Sequence, residues 1–161
     1  MGLLFDEFEP GARFRTPGRT ITEADVASFA GLSGDYNPVH TDETFAADTA
    51  FQGRVAHGPM MIGIAFGLAS RLDLIDGTVI ALLSVSWSFH APIRAGDTVA
   101  ALIEVADKRD TRHADRGIVR LDFAVHNQRS EVVQNGSAEL LMRRSRPQHA
   151  VWGRVPPGKA V

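Results

Sequence analysis

The chain has 161 residues, an apolar fraction of 44%, a charged fraction of 22% and a formal net charge of −2. That length suits one domain, which buries about 70% of its unfolded surface. The net charge argues against nucleic acid as the main partner, because phosphate binders are usually basic. The chain contains no cysteine, so it has no disulfide framework and no thiolate chemistry.

The N-terminal residues 1–13 include acidic side chains and no apolar run, so we expect no signal peptide there. The longest apolar stretch, residues 60–69, is too short to cross a bilayer. We therefore predict a cytoplasmic protein that has no membrane partner.

Three helices are predicted in the first half of the chain. The first begins after Thr22, which can cap it, and runs to Gly34. A short second helix runs from Asp42 to Asp48. The third covers residues 58–72, and its nearly uninterrupted apolar composition is typical of a buried helix. Gly63 and Gly67 in this helix predict close packing under a sheet.

Four long strands are predicted in the second half. Apolar residues recur at every second position over 79–89, 99–105 and 119–125, and a turn at residues 128–130 leads into a fourth strand over 132–142. Residues 92–97 form a turn and 109–116 a polar connection. One or two short strands are expected near the N-terminus. Since consecutive strands with short links pair antiparallel, we expect each long strand to lie beside the next.

This order of elements predicts an α+β fold, in which a long antiparallel sheet wraps around a central buried α-helix. We assign residues 1–144 to a single domain and residues 145–161, which contain three prolines and two glycines, to an extended C-terminal tail.

Two short segments combine the groups that proton transfer requires. GDYNPVH (34–40) holds Asp35 and His40 five positions apart, and AHGP (56–59) places Gly58 18 residues beyond His40, near a helix start. A helix start offers free backbone N–H groups. An acid, a base and an N–H donor are the parts needed to add or remove water beside a thioester carbonyl.

Two other interpretations of these residues are open. Asp35 and Asn37 are typical of an Asx-type turn between helices, in which His40 caps the next helix. Asp35, His40 and His57 are also possible zinc ligands, but their spacing matches no compact ligand motif, so we expect no metal.

The chain resembles the hotdog fold, and within it the MaoC-like dehydratases and R-specific enoyl-CoA hydratases. The family pattern is an aromatic residue followed by Gly-Asp-x-Asn-Pro-(aliphatic)-His, and here Phe29 precedes residues 34–40. AHG (56–58) also fits, as does FHAPIRAGD (89–97), which matches the family's strand-turn-strand signature. The resemblance covers residues 5–143.

The resemblance implies a role for each matching residue. Asp35 and His40 correspond to the pair that activates water, Gly58 to the glycine whose N–H meets the thioester oxygen, and Asn37 to a support for the aspartate. Substrate contacts are assigned to four residues: Asn37, Tyr36, His57 and Pro59. Tyr36 could instead pack on the loop, and His57 could simply fix the turn before Gly58.

The implied reaction is the reversible hydration of a trans-2-enoyl-CoA to a (3R)-3-hydroxyacyl-CoA. Some hydratases of the family carry a serine on the central helix, but no Ser or Thr occurs between Gly58 and Ala69. No cofactor is expected, since coenzyme A is part of the substrate. The resemblance also implies a homodimer or a dimer of dimers.

Two other functions are compatible with the sequence. One is a hotdog acyl-CoA thioesterase, and the other is a non-catalytic acyl-CoA-binding partner subunit. A basic run (Arg109, Arg112, His113 and Arg116) either contacts the coenzyme A phosphates or is a solvated loop.

Overall fold

The computed structural model describes residues 1–146, so most of the predicted tail, from residue 147 onward, lies outside the described residues. Its helices are a 3₁₀ turn followed by α1 to α4: Phe5–Glu7, Glu23–Ser33, Pro38–Thr41, Glu43–Ala47 and Met60–Ser70. Its strands are β1 to β6: Arg13–Arg15, Arg19–Thr20, Val79–Phe89, Thr98–Asp110, Arg116–His126 and Val132–Arg143.

The long strands form one antiparallel sheet in the order β1-β4-β5-β6-β3, and β2 pairs with β4. The expectation that each long strand lies beside the next is wrong for β3 and β4. β3 pairs with β6, and Phe89 lies opposite Gln134 in this register. Residues 90–97 connect β3 to β4, which β5 and β6 separate from β3 within the sheet. This connection leaves β3 at one edge of the sheet, with β6 as its partner.

Helix α4 lies against the inner face of the sheet and supplies much of the core. Met61, Ala65 and Leu68 are almost fully buried, as are Leu121 and Leu140 on the sheet. Burying each of the leucine and methionine side chains contributes about 1.5–3 kcal/mol. The sheet is thus held to α4 mainly by apolar contact, which confirms the predicted arrangement of sheet and helix.

The predicted packing of Gly63 and Gly67 under the sheet is wrong. Both glycines lie on the exposed side of α4, and a Cβ added at either one would have no neighbour within 4 Å. The helix is apolar on all sides, but only one of its faces is covered within the described residues.

Helix α1 begins and ends where the sequence predicts. The Thr22 hydroxyl accepts the Asp25 N–H at 3.1 Å, and the Asp25 carboxylate accepts the Thr22 N–H at 2.9 Å. Gly34 ends the helix with φ = 76°, a left-handed conformation that suits glycine. The Thr22 N–H, together with the Thr22 hydroxyl and Arg19, holds the pKa of Asp25 below its usual value.

Thr22→Ala should lower the free energy of unfolding by about 0.5–2 kcal/mol, because it leaves the Asp25 N–H without its cap. Urea titration at neutral pH measures this loss, and Thr22→Ser is the matched control that keeps the hydroxyl. Since the pKa of Asp25 is lowered by folding, its contribution is present at neutral pH and is lost as pH falls through the folded-state pKa. An equal loss in both variants would contradict the cap.

Candidate active site

The segment after α1 turns sharply and then forms one helical turn. The Asp35 side chain accepts the Asn37 N–H at 3.1 Å, and the Asn37 side chain accepts the Val39 N–H at 3.3 Å and caps α2. The Asx-type turn that the sequence offered as another interpretation of these residues is therefore present. His40 does not cap the next helix, since Asp42 caps α3. His40 lies on the single turn of α2.

The orientation of His40 follows from its hydrogen bond to the backbone. Its Nδ1 lies 2.8 Å from the Val55 carbonyl oxygen. Because a carbonyl only accepts, Nδ1 carries the proton and Nε2 of the neutral ring presents its lone pair. That Nε2 is 3.9 Å from the Asp35 carboxylate, too far for a direct hydrogen bond. His40 is largely buried, whereas the Asp35 side chain is 53% exposed.

His57 contacts both Asp35 and His40. It is 1% exposed, its Nε2 lies 2.9 Å from the Asp35 carbonyl oxygen, and its ring stacks on His40 with centroids 3.8 Å apart. Its Nδ1 is buried and has no partner among the described residues. The contacts support the role of fixing the turn, while substrate contact by His57 stays a prediction. The AHG motif was the only sequence signal for this packing.

Asp35, His40 and His57 come close enough to be considered as metal ligands, with one ligand atom from each lying within 4.8 Å of the others. The sequence spacing gives no hint of this proximity. Each imidazole already uses one nitrogen in a backbone hydrogen bond. The expectation that the site works without a metal stays a prediction.

Gly58 lies in a turn two residues before α4, and Pro59 is the N-cap of that helix. Met60 and Met61 donate their N–H groups to the carbonyls three residues earlier. No acceptor within residues 1–146 takes the Gly58 N–H, so this donor is available to a ligand. A Cβ at Gly58 would come within 2.9 Å of the Phe89 ring, which shows how closely the two residues approach.

A pocket of about 370 Å³ opens beside His40 and Gly58. Its walls are largely apolar and include Phe51, Val55, Phe89, Ala91, Pro92 and Ile93. Asp35 does not line the pocket. Its carboxylate lies 3.9 Å from Nε2 of His40, and His40 does line the pocket. Grooves of about 470 and 460 Å³ lie elsewhere on the sheet, away from the histidine and aspartate cluster. The pocket is mainly apolar where the proton-transfer groups meet it.

The remaining predicted contacts lie around this centre rather than in the pocket. Tyr36 is 63% exposed, and its hydroxyl would lie 3.6 Å from a Cβ at Gly31, which places this side chain beside α1 rather than in the pocket. Asn37 holds the Asp35 turn, and Pro59 begins α4. Substrate contact by these three residues stays a prediction.

The basic run does not form a cluster of free cations. Arg109 makes two hydrogen bonds to Glu139, at 2.6 and 3.0 Å, and Arg116 pairs with Asp115 at 2.8 Å. The Glu139 carboxylate raises the pKa of Arg109. These pairs favour the solvated interpretation of the run.

The family model for the MaoC like domain matches residues 7–126. The chain is 40% identical over 108 residues to protein MaoC of Klebsiella aerogenes, which is 66% of this chain and 31% of that protein. It is 43% identical over 88 residues to the (R)-specific enoyl-CoA hydratase of Rhodospirillum rubrum, which is 54% of this chain and 59% of that enzyme. The chain thus spans less than two thirds of either relative.

Solved structures show the same architecture. An R-hydratase from Pseudomonas aeruginosa superposes with a TM-score of 0.78 at 28% identity, covering 99% of this chain and 97% of that one. A Mycobacterium tuberculosis protein with a double hotdog fold gives a TM-score of 0.80 at 22% identity, covering 96% and 47%. The predicted hotdog fold is confirmed. No helix within residues 1–146 has both the length and the apolar character needed to cross a bilayer.

Proposed function

The chain belongs to the MaoC-like domain family, and we propose from this that it catalyses the reversible hydration of a trans-2-enoyl-CoA to a (3R)-3-hydroxyacyl-CoA. Relatives named as (R)-specific enoyl-CoA hydratase and 3-hydroxybutyryl-CoA dehydratase support this reaction class. The observation that carries the proposal is that His40 and Gly58 line one pocket, that the Gly58 N–H has no acceptor within residues 1–146, and that the Asp35 carboxylate lies 3.9 Å from His40 Nε2.

The gap between Asp35 and His40 suits a water molecule. Both facing atoms, the Asp35 carboxylate and His40 Nε2, accept hydrogen bonds, and they are 3.9 Å apart. A water that donates one O–H to each acceptor leaves its lone pairs free to attack carbon. Asp35 then takes one proton of the water as the C3–O bond forms, and this same proton is passed on to C2, so that both hydrogens of the water end on the product. His40 orients the water and shares in this transfer, because its Nε2 can receive the proton from Asp35 and deliver it.

The Gly58 N–H acts at the thioester end of the reacting group. As water adds to C3, negative charge develops on the thioester oxygen, and a backbone N–H placed there stabilises it. The Gly58 N–H is fixed beside the rigid start of α4 and has no acceptor within the described residues. Little reorganisation is then needed when the charge appears.

One assay separates the proposed reaction from the two alternatives. The protein is mixed with crotonyl-CoA, and loss of the conjugated enoyl thioester absorbance is followed while free thiol is measured in parallel. Loss of absorbance without thiol is the expected result, and addition of EDTA should leave the rate unchanged because we propose no metal or other cofactor. Release of thiol would instead identify a thioesterase. No change across a panel of acyl chains would favour a binding subunit.

We also propose that the chain forms a homodimer, or a dimer of such dimers, through the β3 edge. Leu82, Leu83 and Val85 on this edge strand are 51%, 46% and 38% exposed. An exposed apolar edge readily pairs with another chain, and natural proteins generally cover it. A second copy that meets β3 would remove this apolar surface from water.

Sedimentation equilibrium should give at least twice the 17.4 kDa chain mass. Leu83→Lys should shift the protein toward monomer, because a lysine on an edge strand opposes pairing. Leu32→Lys is the matched control, since Leu32 is 85% exposed on α1 and its replacement should leave the mass unchanged. A wild-type protein that sediments as a monomer would overturn the dimer.

A further inference from the structure

A polar side chain is buried in the wall of the otherwise largely apolar pocket. Gln134 on β6 is 3% exposed, lies opposite Phe89 in the β3–β6 register, and lines the same pocket as His40 and Gly58. A buried amide is costly unless its hydrogen bonds are made. The proposed proton transfers do not use this residue.

The orientation of the Gln134 amide is set by a neighbouring indole. Trp87 Nε1–H donates to Gln134 Oε1 at 2.9 Å. An indole nitrogen can only donate, so the amide atom that faces it must be the oxygen. The amide NH₂ therefore points away from Trp87, and no acceptor within residues 1–146 takes its protons. Gln134 thus offers fixed, unused donors.

The charged groups around the pocket determine which kind of ligand acceptor suits the N–H donors of Gln134. Within residues 1–146, no Asp, Glu, Lys or Arg lines the pocket, and its two histidines, His40 and His90, each already use one ring nitrogen on an oxygen of Val55 or Asn135. A carboxylate placed there would be removed from water without a lysine or arginine to balance it, which is costly. A neutral oxygen, as in a hydroxyl, ether or ketone, needs only a donor such as the amide provides.

We propose that Gln134 is a specificity-determining residue that donates a hydrogen bond to a neutral oxygen on the acyl chain, beyond C3. The inference rests on the proposed function in one respect, because it takes this pocket as the acyl site. With the thioester at Gly58 and C2–C3 at the Asp35–His40 pair, an oxygen of the acyl group that reaches Gln134 must lie beyond C3. The favoured substrate class is then an oxygen-bearing enoyl-CoA rather than a simple alkyl one.

Binding of unreactive acyl-CoAs tests this inference without requiring turnover. Calorimetry compares hexanoyl-CoA with two ethers of the same length, 3-ethoxypropanoyl-CoA and 4-methoxybutanoyl-CoA, which place oxygen at positions 4 and 5. The readout is the ratio of the hexanoyl Kd to the ether Kd. For at least one ether, Gln134→Leu should lower this ratio about 5- to 10-fold, the effect of one hydrogen bond.

Two further variants keep the test decisive. Trp87→Phe retains a ring in the core but removes the indole N–H that orients the amide, so it should lower the same ratio even if Gln134→Leu does not fold. Gln128→Leu makes the same side-chain change in an exposed turn and should leave the ratio unchanged. A ratio within each variant is insensitive to general loss of stability.

The outcomes separate this inference from the proposed reaction. An unchanged ratio in Gln134→Leu and Trp87→Phe overturns the inference even if crotonyl-CoA is hydrated. An equal loss of affinity for all three ligands also overturns it, because Gln134 would then contact the pantetheine. Absence of binding by all three ligands overturns it as well. A lowered ratio in a protein that hydrates no enoyl-CoA of the panel, with or without oxygen on the acyl chain, supports the inference and contradicts the hydratase.

Discussion

Asp35→Asn should lower kcat for hydration of crotonyl-CoA by about 10²–10⁴, the contribution of a positioned general base. The amide cannot accept the proton from water, but its oxygen can still accept the Asn37 N–H that shapes the turn. Because the side chain is 53% exposed, the substitution should cost little folding stability. Stopped-flow absorbance measures the rate, and thermal unfolding checks the fold.

The matched control for this variant is Asp48→Asn, which changes an exposed carboxylate at the end of α3. Its kcat should equal that of the wild type. If Asp35→Asn retained more than half of the wild-type rate, Asp35 could not be the base, and the Asx-type turn would be its main role.

Replacing Gly58 with glycolic acid by protein ligation should lower kcat about 10²–10³-fold, or about 2.7–4 kcal/mol. The change converts one backbone N–H to an ester oxygen and adds no side chain. This matters because any Cβ at Gly58 would press on the Phe89 ring. Since no described residue accepts the Gly58 N–H, the ester removes no donor that this part of the chain uses, and it only weakens the His57 carbonyl as the acceptor of the Met60 N–H.

The same ester at Gly18 serves as the control. Gly18 lies before β2, and its N–H likewise has no acceptor within the described residues. That protein should hydrate crotonyl-CoA at the wild-type rate. Similar losses in both esters would show that the ligation damages the protein, and no loss at Gly58 would remove this N–H from the mechanism.

Local signals in the sequence predict the elements well where a residue has one strong preference. Thr22 and Gly34 place the ends of α1 correctly. They do so because a capping hydroxyl and a left-handed glycine act within a few residues. The predicted bounds of β3 and β6 are likewise correct nearly to the residue, whereas β5 begins three residues earlier than predicted.

Relations between distant segments could not be predicted in this way. Alternation identifies a strand but not its partner, so the β3–β6 pairing was missed. β4 continues past a register shift between Val105 and Asp107 as far as Asp110, where polar residues had suggested a connection. The contacts of His57 and Gln134 depend on the same long-range placement, which no local pattern encodes.

The β3–β6 pairing also determines when the protein can fold during its synthesis. Val79 pairs with Met142, so the ribosome must add 63 further residues before this pair can form. At about 5–20 residues per second, that takes roughly 3–13 s. Throughout this interval the apolar face of β3 lacks its native neighbour. Chaperone demand in a cell should therefore depend on translation speed between residues 79 and 142, and slow codons there would prolong the vulnerable period.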